Sequence, residues 1–556
     1  MNNTTVCSFY GAVRDQLATR ATALLVALIL IPPMSETFAD FEHNPLGESV
    51  ITFSNNVAFT GVDCRTFCPP GQFPSLIVGN DAGGSAFISQ DPTLQGPDKG
   101  IRFQDVFVGH RQGGFGQLFV LDLGVLDVLG VLRVGVDPGS GGKITIERRG
   151  QLTVNPGPAG FSSSDTLILG HEPGTFASVF MSTGTLFNRG NLVLGGSNRK
   201  AFVEMDNSRF TNGGALVSNA NVTLTRSGWF NEGSVQVTDT SVSLDGGTLT
   251  LGQFSLGPGR VNLAVRNGGQ IQSGPTSITG PSNIQMTAGG SWKNSGDTSI
   301  TAPTNIQITD GGSWINSGNL IIRNESLPIP PPGSFVIIMD HGRLTNGSAD
   351  VSNANVMLTG STWINDGGVS LTDTSVTLGG GSTMTATSLN LSGLMDVGGG
   401  SSVQLGLNGT GGFTFSVAQN AELSIHDLGS KVDASFNHLF IRSASTVRIA
   451  NGGALDTRIL ELGGRDSSLI VTGSGSTVNN HGVRVLNGAM RIENGGQVNG
   501  PWGSIGLISD SGPGIATATV TVSAPNGKTV NSLSSDNSNM VLRVAPVPFL
   551  SLIEPW

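Results

Sequence analysis

Residues 207–250 read NSRFTNGGALVSNANVTLTRSGWFNEGSVQVTDTSVSLDGGTLT, and residues 341–385 read HGRLTNGSADVSNANVMLTGSTWINDGGVSLTDTSVTLGGGSTMT. Trp229 aligns with Trp363, Asn231 with Asn365, and Asp239-Thr240-Ser241-Val242 with Asp373-Thr374-Ser375-Val376. Between the copies, Gly-Ser-Trp-x-Asn-x-Gly recurs at 290–296 and at 312–318, with Trp292 and Trp314 22 residues apart. A unit of that size cannot bury its own apolar face. It must stack on a neighbour, and a period of this length is the signature of a solenoid.

The composition agrees with one extended architecture rather than several globular domains. The chain has 556 residues, of which 81 are Gly and 12% are charged. Its 26 Pro residues exclude a collagen-like or Pro-rich chain. Val, Leu and Ile fall at every second position of short runs, as in Ser241-Val242-Ser243-Leu244 and Ile306-Gln307-Ile308-Thr309. That alternation reads as strands of about four to six residues. Gly, Asn and Asp between the runs mark corners, because they tolerate left-handed backbone angles. No helical periodicity is found after the N-terminus. The expected fold is all-β, a right-handed parallel β-helix of the pectin-lyase-like kind, the hand resting on the usual crossover rule and on what the repeats resemble. Roughly fifteen to twenty coils at ~4.8 Å would make a rod on the order of 80–100 Å.

Residues 1–39 read as a secretion signal. Arg14 and Arg20 supply positive charge, Ala21 to Ile31 is a short apolar run, and Thr37-Phe38-Ala39 offers a cleavage site. An uncleaved anchor is the alternative; no later run is apolar and long enough to span a membrane, so no span is expected after cleavage. Residues 40–100 read as an irregular N-terminal cap, 101–326 and 334–525 as β-helix repeats, and 526–556 as a C-terminal tail. Between the repeats, the Pro-rich stretch 327–333 reads as a projecting loop, or else as a boundary between two solenoid segments. Cys64 and Cys68 read as a disulfide in an exported chain.

The net charge is −10. An acidic chain without basic clusters is a poor polyanion binder, so no nucleic-acid partner is expected. Arg148-Arg149, the nearest thing to a cluster, follows Glu147 and reads as a solvated strand end.

The spelling of 473–498 and 290–318, with Asn-Gly-Gly-x-Val and Gly-Ser-x-Trp-x-Asn-x-Gly, resembles the repeats of autotransporter passenger domains and of exported bacterial proteins with PEP-CTERM sorting tails. The resemblance implies an exported, extracellular or outer-envelope β-helix of adhesin-like character. An autotransporter would add a C-terminal barrel of alternating strands rich in aromatics, yet no Tyr follows Tyr10. Val544-Ala545-Pro546-Val547-Pro548 is the nearest approach to a sorting motif, without the apolar helix and basic end such a tail carries.

Polysaccharide lyases and glycoside hydrolases also use parallel β-helices, so an enzyme is the rival reading. Gly109-His110 and Gly170-His171 resemble the Gly-His piece of pectin-degrading hydrolases, but both recur at one turn of the repeat and read as corner residues. Asp239 and Asp373 likewise occupy equivalent positions and read as turn residues bonded to local backbone. Asp122 and Asp127 read as solvent-facing by alternation. No catalytic, cofactor-binding or metal-ligating residue is assigned, and no cofactor is expected. Trp229, Trp292, Trp314 and Trp363 form either an exposed row that stacks on sugar rings or a structural ladder, with Asn231, Asn294, Asn316 and Asn365 satisfying turn backbone beside it. The resulting expectation is a secreted or cell-surface repeat scaffold, adhesin-like or part of an extracellular matrix, without catalysis. Surface glycans or host and matrix components would be its partners. A phage-type fibre is a third reading, favoured only by trimerisation; the sequence leaves the oligomeric state open.

Overall fold

The computed structural model describes residues 75–80, 83–88, 101–155, 164–196, 201–323, 336–406, 414–486 and 488–499 in full, and the backbone alone of short strands at 40–43, 49–53, 57–60, 505–508, 518–522, 533–536 and 540–544. The signal segment, Cys64, Cys68 and the Pro-rich stretch 327–333 lie outside the described residues.

The chain is all-β, with parallel strands stacked as a β-solenoid of about 17 turns. Each turn contributes a strand to each of three faces. The first face stacks Val106–Val108, Leu132–Val134 and Leu167–Leu169. The second stacks Phe115–Leu121, Gly141–Glu147 and Phe176–Ser182. The third stacks Val125–Val128, Gln151–Val154 and Thr185–Asn188. Strand alternation sends every second side chain inward, so Leu118, Val120, Ile144 and Ile146 are buried while Gln117 and Lys143, each just before a buried pair, are not. Each inward Val, Leu or Ile contributes about 1.5–3 kcal/mol of burial. The stack joins them into one axial core from Leu76 to Met490.

The internal duplication is a whole number of turns. Phe210 is followed at its rung position by Trp229, Leu249, Ile271, Trp292, Trp314 and then Leu344, six coils on. Phe210 and Leu344 are equivalent residues of the two copies. The step from Trp314 to Leu344 takes 30 residues, against 22 from Trp292 to Trp314. The extra length falls between Leu320–Arg323 on the first face and Val336–Asp340 on the second. Both flanking strands keep their pairing across it, so the described strands run as one solenoid on either side of the insertion.

Two expectations differ from the structure in detail. Strands are not all short: Val369–Gly379 and Lys431–Ile441 are 11 residues long. In the first of these a single left-handed residue, Asp373 at φ 48°, turns the chain from one face to the next, and the ladders continue on both sides. The ladder also extends into the segments read as cap and tail. Ser49–Phe53 pairs in parallel with Ser75–Val78, and Ala518–Val522 with Met540–Val544. The tail lacks the Gly-Gly corners that make a coil readable, and the cap has a single such pair, Gly83-Gly84.

Candidate functional site

The four Trp residues lie on the inward side of the third face. Trp229, Trp292, Trp314 and Trp363 are 3%, 0%, 1% and 0% exposed. Trp229 stacks on Phe210 at 5.3 Å, and Trp292 on Trp314 at 4.9 Å. None of these rings offers a face to a sugar. Their polar edges point at the corner between the third and first faces, where one side chain per coil is held inside. Trp229 Nε1 donates to Asn212 Oδ1 of the preceding coil at 2.6 Å, and Trp292 Nε1 to Ser273 Oγ at 2.9 Å. Trp363 Nε1 lies 2.9 Å from the Asn346 amide, turned so that its oxygen accepts. The Asn residues expected to satisfy turn backbone share this corner, but the Asn231 amide is an exception, its Nδ2 and Oδ1 both buried without a hydrogen-bond partner. Asn231, Asn294, Asn316 and Asn365 are 4% exposed or less. Asn294 Nδ2 donates to Asn316 Oδ1 at 3.0 Å, and Asn316 Nδ2 to the Gly318 carbonyl at 3.0 Å. These bonds satisfy backbone and amide groups that the tight corner takes away from water.

The other candidates resolve as corner pieces. Gly109 and Gly170, before His110 and His171, have φ of 70° and 65° at the corner between the first and second faces. Asp239 and Asp373 take the same corner at 47° and 48°, and the Asp239 carboxylate accepts from the Arg260 N–H at 3.0 Å. Asp122 pairs with Arg148 and Asp127 with Arg102, both at 3.2 Å on the outside. Arg148 and Arg149 are exposed, left-handed turn residues. Among the described residues no three His, Cys, Asp or Glu side chains converge as a metal site.

Two clusters missed by the sequence reading lie near the far end. His426, on the second face, sits between two carboxylates: Nε2 is 3.0 Å from Asp396 Oδ1 in the coil before, and Nδ1 is 3.0 Å from Asp427 Oδ2. The hydrogen bond to Asp427 holds the imidazolium above its ordinary pKa. Burial pulls the other way, and Asp396 adds to the rise. Asp427 is held below the usual carboxylate range by His426 and by the Gly399 N–H.

The second cluster is on the outer side of the third face. Lys431 Nζ bridges Asp433 at 3.1 Å and Asp456 at 2.6 Å. The row continues outward along the rod, with Asn479 Nδ2 donating to Asp456 Oδ1 at 2.7 Å and Asn499 Nδ2 to Asn479 Oδ1 at 3.0 Å. The hydrogen bond to Asp456 raises the Lys431 pKa, against desolvation. Burial pushes the Asp433 carboxyl up, but bonds from Ser435 and Lys431 outweigh it and hold it below its ordinary value. The signal was present in the sequence as Lys-Val-Asp at 431, Ala-Leu-Asp at 454, Thr-Val-Asn at 477 and Gln-Val-Asn at 497. Only the coil register shows that these four triplets are neighbours.

No protein-family model matches the chain, and no curated protein matches it in sequence.

Proposed function

We propose that the chain is an exported scaffold, displayed on the cell surface or built into an extracellular matrix, with an adhesin-like role and no catalysis. The observation that carries this reading is the solenoid, whose outer rows are rich in Ser, Thr, Asn and Gln and whose corners are closed by buried Asn and Ser ladders. A rod fixed coil by coil in this way is stiff and presents a long flank of repeated polar positions. The low charge and the N-terminal sequence support export.

The rival reading, a carbohydrate-active enzyme on the same solenoid, would draw on Lys431, Asp433 and Asp456. Glycoside hydrolysis needs one carboxyl kept protonated at working pH as the acid. Asp433 is displaced in the opposite direction, and Lys431 is spent on both carboxylates. The cluster is therefore better suited to holding than to cutting.

Protease shaving of intact native cells, followed by immunodetection in cell, envelope and medium fractions, tests the proposal. Loss of the chain from intact cells, or its recovery in the medium, is the expected result. A soluble, protease-protected periplasmic chain would overturn it.

A further inference from the structure

We infer that the groove where the third face turns toward the first, over the coils of Asp456, Asn480 and Asn499, binds a neutral saccharide. This rests on the scaffold reading and adds the ligand class. The groove encloses about 400 Å³ and is lined by Ser435, Asp456, Thr457, Asn479, His481 and Asn499, together with Asn480. None of these residues is apolar. Carboxylate and amide oxygens accept, amide nitrogens donate and hydroxyls do both, which is the complement of a ligand made of hydroxyl groups.

Asn480 points to a ligand independently. It is 6% exposed, and its Nδ2 has no hydrogen-bond partner. A buried donor left unmade costs about 1–3 kcal/mol, so native structures rarely keep one without a reason. A ligand oxygen seated in the groove would take up that donor.

Charge selects among hydroxyl-bearing ligands. Asp433 and Asp456 are balanced by Lys431, whose ammonium already occupies the space between them, and by Arg458, exposed at the same corner next to Thr457. The corner thus has no net charge with which to hold a uronate or a phosphate, and the place a divalent cation would take is filled. Beside the groove, outside its lining, the corner also carries a ring. Between Ala434 and His438 the chain has three residues where the next coil, between Thr457 and Ile459, has one. The two extra residues push out Phe436, which follows Ser435 and is 60% exposed. Pyranose rings have an apolar C–H face that packs on an aromatic ring while their hydroxyls reach polar groups at its edge.

The test is calorimetric titration of the purified full chain with cellohexaose, chitohexaose, mannohexaose and xylohexaose, with polygalacturonate as the anionic comparison. At least one neutral hexasaccharide should bind with a Kd of about 1 mM or tighter. Asn479→Ala and Phe436→Ala, both at exposed positions, should each weaken it by about tenfold or more without moving the thermal midpoint. The inference is overturned if none of the four binds, if binding ignores both substitutions, or if only polygalacturonate binds. A chain that is shaved from cells yet binds no saccharide removes this inference and leaves the scaffold reading. A protected chain that binds does the reverse.

Discussion

Trp292 and Trp314 occupy the same rung position of adjacent coils, with rings 4.9 Å apart and 3° from parallel, yet only Trp292 has an acceptor for its indole N–H. Trp292 donates to Ser273, whereas the Trp314 nitrogen is buried without a partner. The Asn294 carbonyl, which sits where Ser273 does one coil earlier, accepts instead from the Gly296 N–H at 3.2 Å. Replacing either Trp by Phe leaves a similar void. Trp292→Phe also loses a hydrogen bond, while Trp314→Phe removes an unsatisfied donor. Trp314→Phe should therefore be less destabilising than Trp292→Phe by about 1 kcal/mol or more in denaturant unfolding. Equal losses would mean that Trp314 has found a partner in solution.

A second ladder closes the corner between the second and third faces. The Gly342 N–H donates to Ser361 Oγ, the Ser361 N–H to Ser382 Oγ and the Ser382 N–H to Ser401 Oγ, at 3.1, 3.2 and 3.1 Å. Ser382 Oγ in turn donates to the Gly379 carbonyl at 2.6 Å. Ser382→Ala leaves the buried Ser361 N–H unpaired and should cost about 1–3 kcal/mol. Ser474→Ala, at an exposed corner, should stay within about 0.5 kcal/mol. Because neighbouring coils carry much of a solenoid's stability, amide hydrogen exchange at Ser361 should report the loss first.

Coil by coil, most of this architecture was written in the residues. The 22-residue spacing of Trp292 and Trp314 places them on one rung because a coil of that length returns to its starting face. The left-handed corners at Asp239 and Asp373 were legible as Asp in a turn setting. For the Trp residues, residue type alone leaves the exposed row and the buried ladder both open, although parity separates them: Lys293 follows Trp292 and faces water, so Trp292 faces in. The polar groove was not legible. Asp433 and Asp456 meet only through the ladder register, and the extra residues around Phe436 break the spacing that would reveal it. The His426 cluster was hidden for the same reason, since its partner Asp396 is 30 residues away and a coil of irregular length intervenes.

His426 gives the rod a pH dependence of definite sign. Its folded pKa is raised, chiefly by Asp427. Its stabilising contribution is thus fully present below the unfolded value of about 6.5 and lost as pH rises through the folded one. Asp427 is lowered, so its contribution is present above the unfolded value of about 4 and lost as pH falls. Both act together between about pH 4 and 6.5. The difference in protection of the strand Glu422–His426 between the native chain and His426→Gln should be largest there and vanish at high pH. Titration of the imidazole by NMR should show Asp427→Asn lowering the His426 pKa more than Asp396→Asn does. The reverse order would place the stronger bond in the neighbouring coil.

Thr145 breaks the alternation on the second face, and the reason lies in its neighbours. By parity it faces outward, in register between Phe119 and Phe180, yet it is only 5% exposed. Phe119 stacks on Phe87 at 4.6 Å and 5°, and Lys143 lies 5.9 Å from the Phe180 ring. The flanking rings seal the threonine from water and leave its Oγ1 without a partner. Thr145→Val keeps the branched shape that suits a strand and removes the stranded hydroxyl. It should raise stability by about 1 kcal/mol, while Thr145→Ser, which keeps the hydroxyl and deletes the methyl, should lower it by about as much. Denaturant midpoints of the two variants would show this order. The opposite order would mean that the hydroxyl is satisfied in solution, and that the phenylalanine cover over it opens.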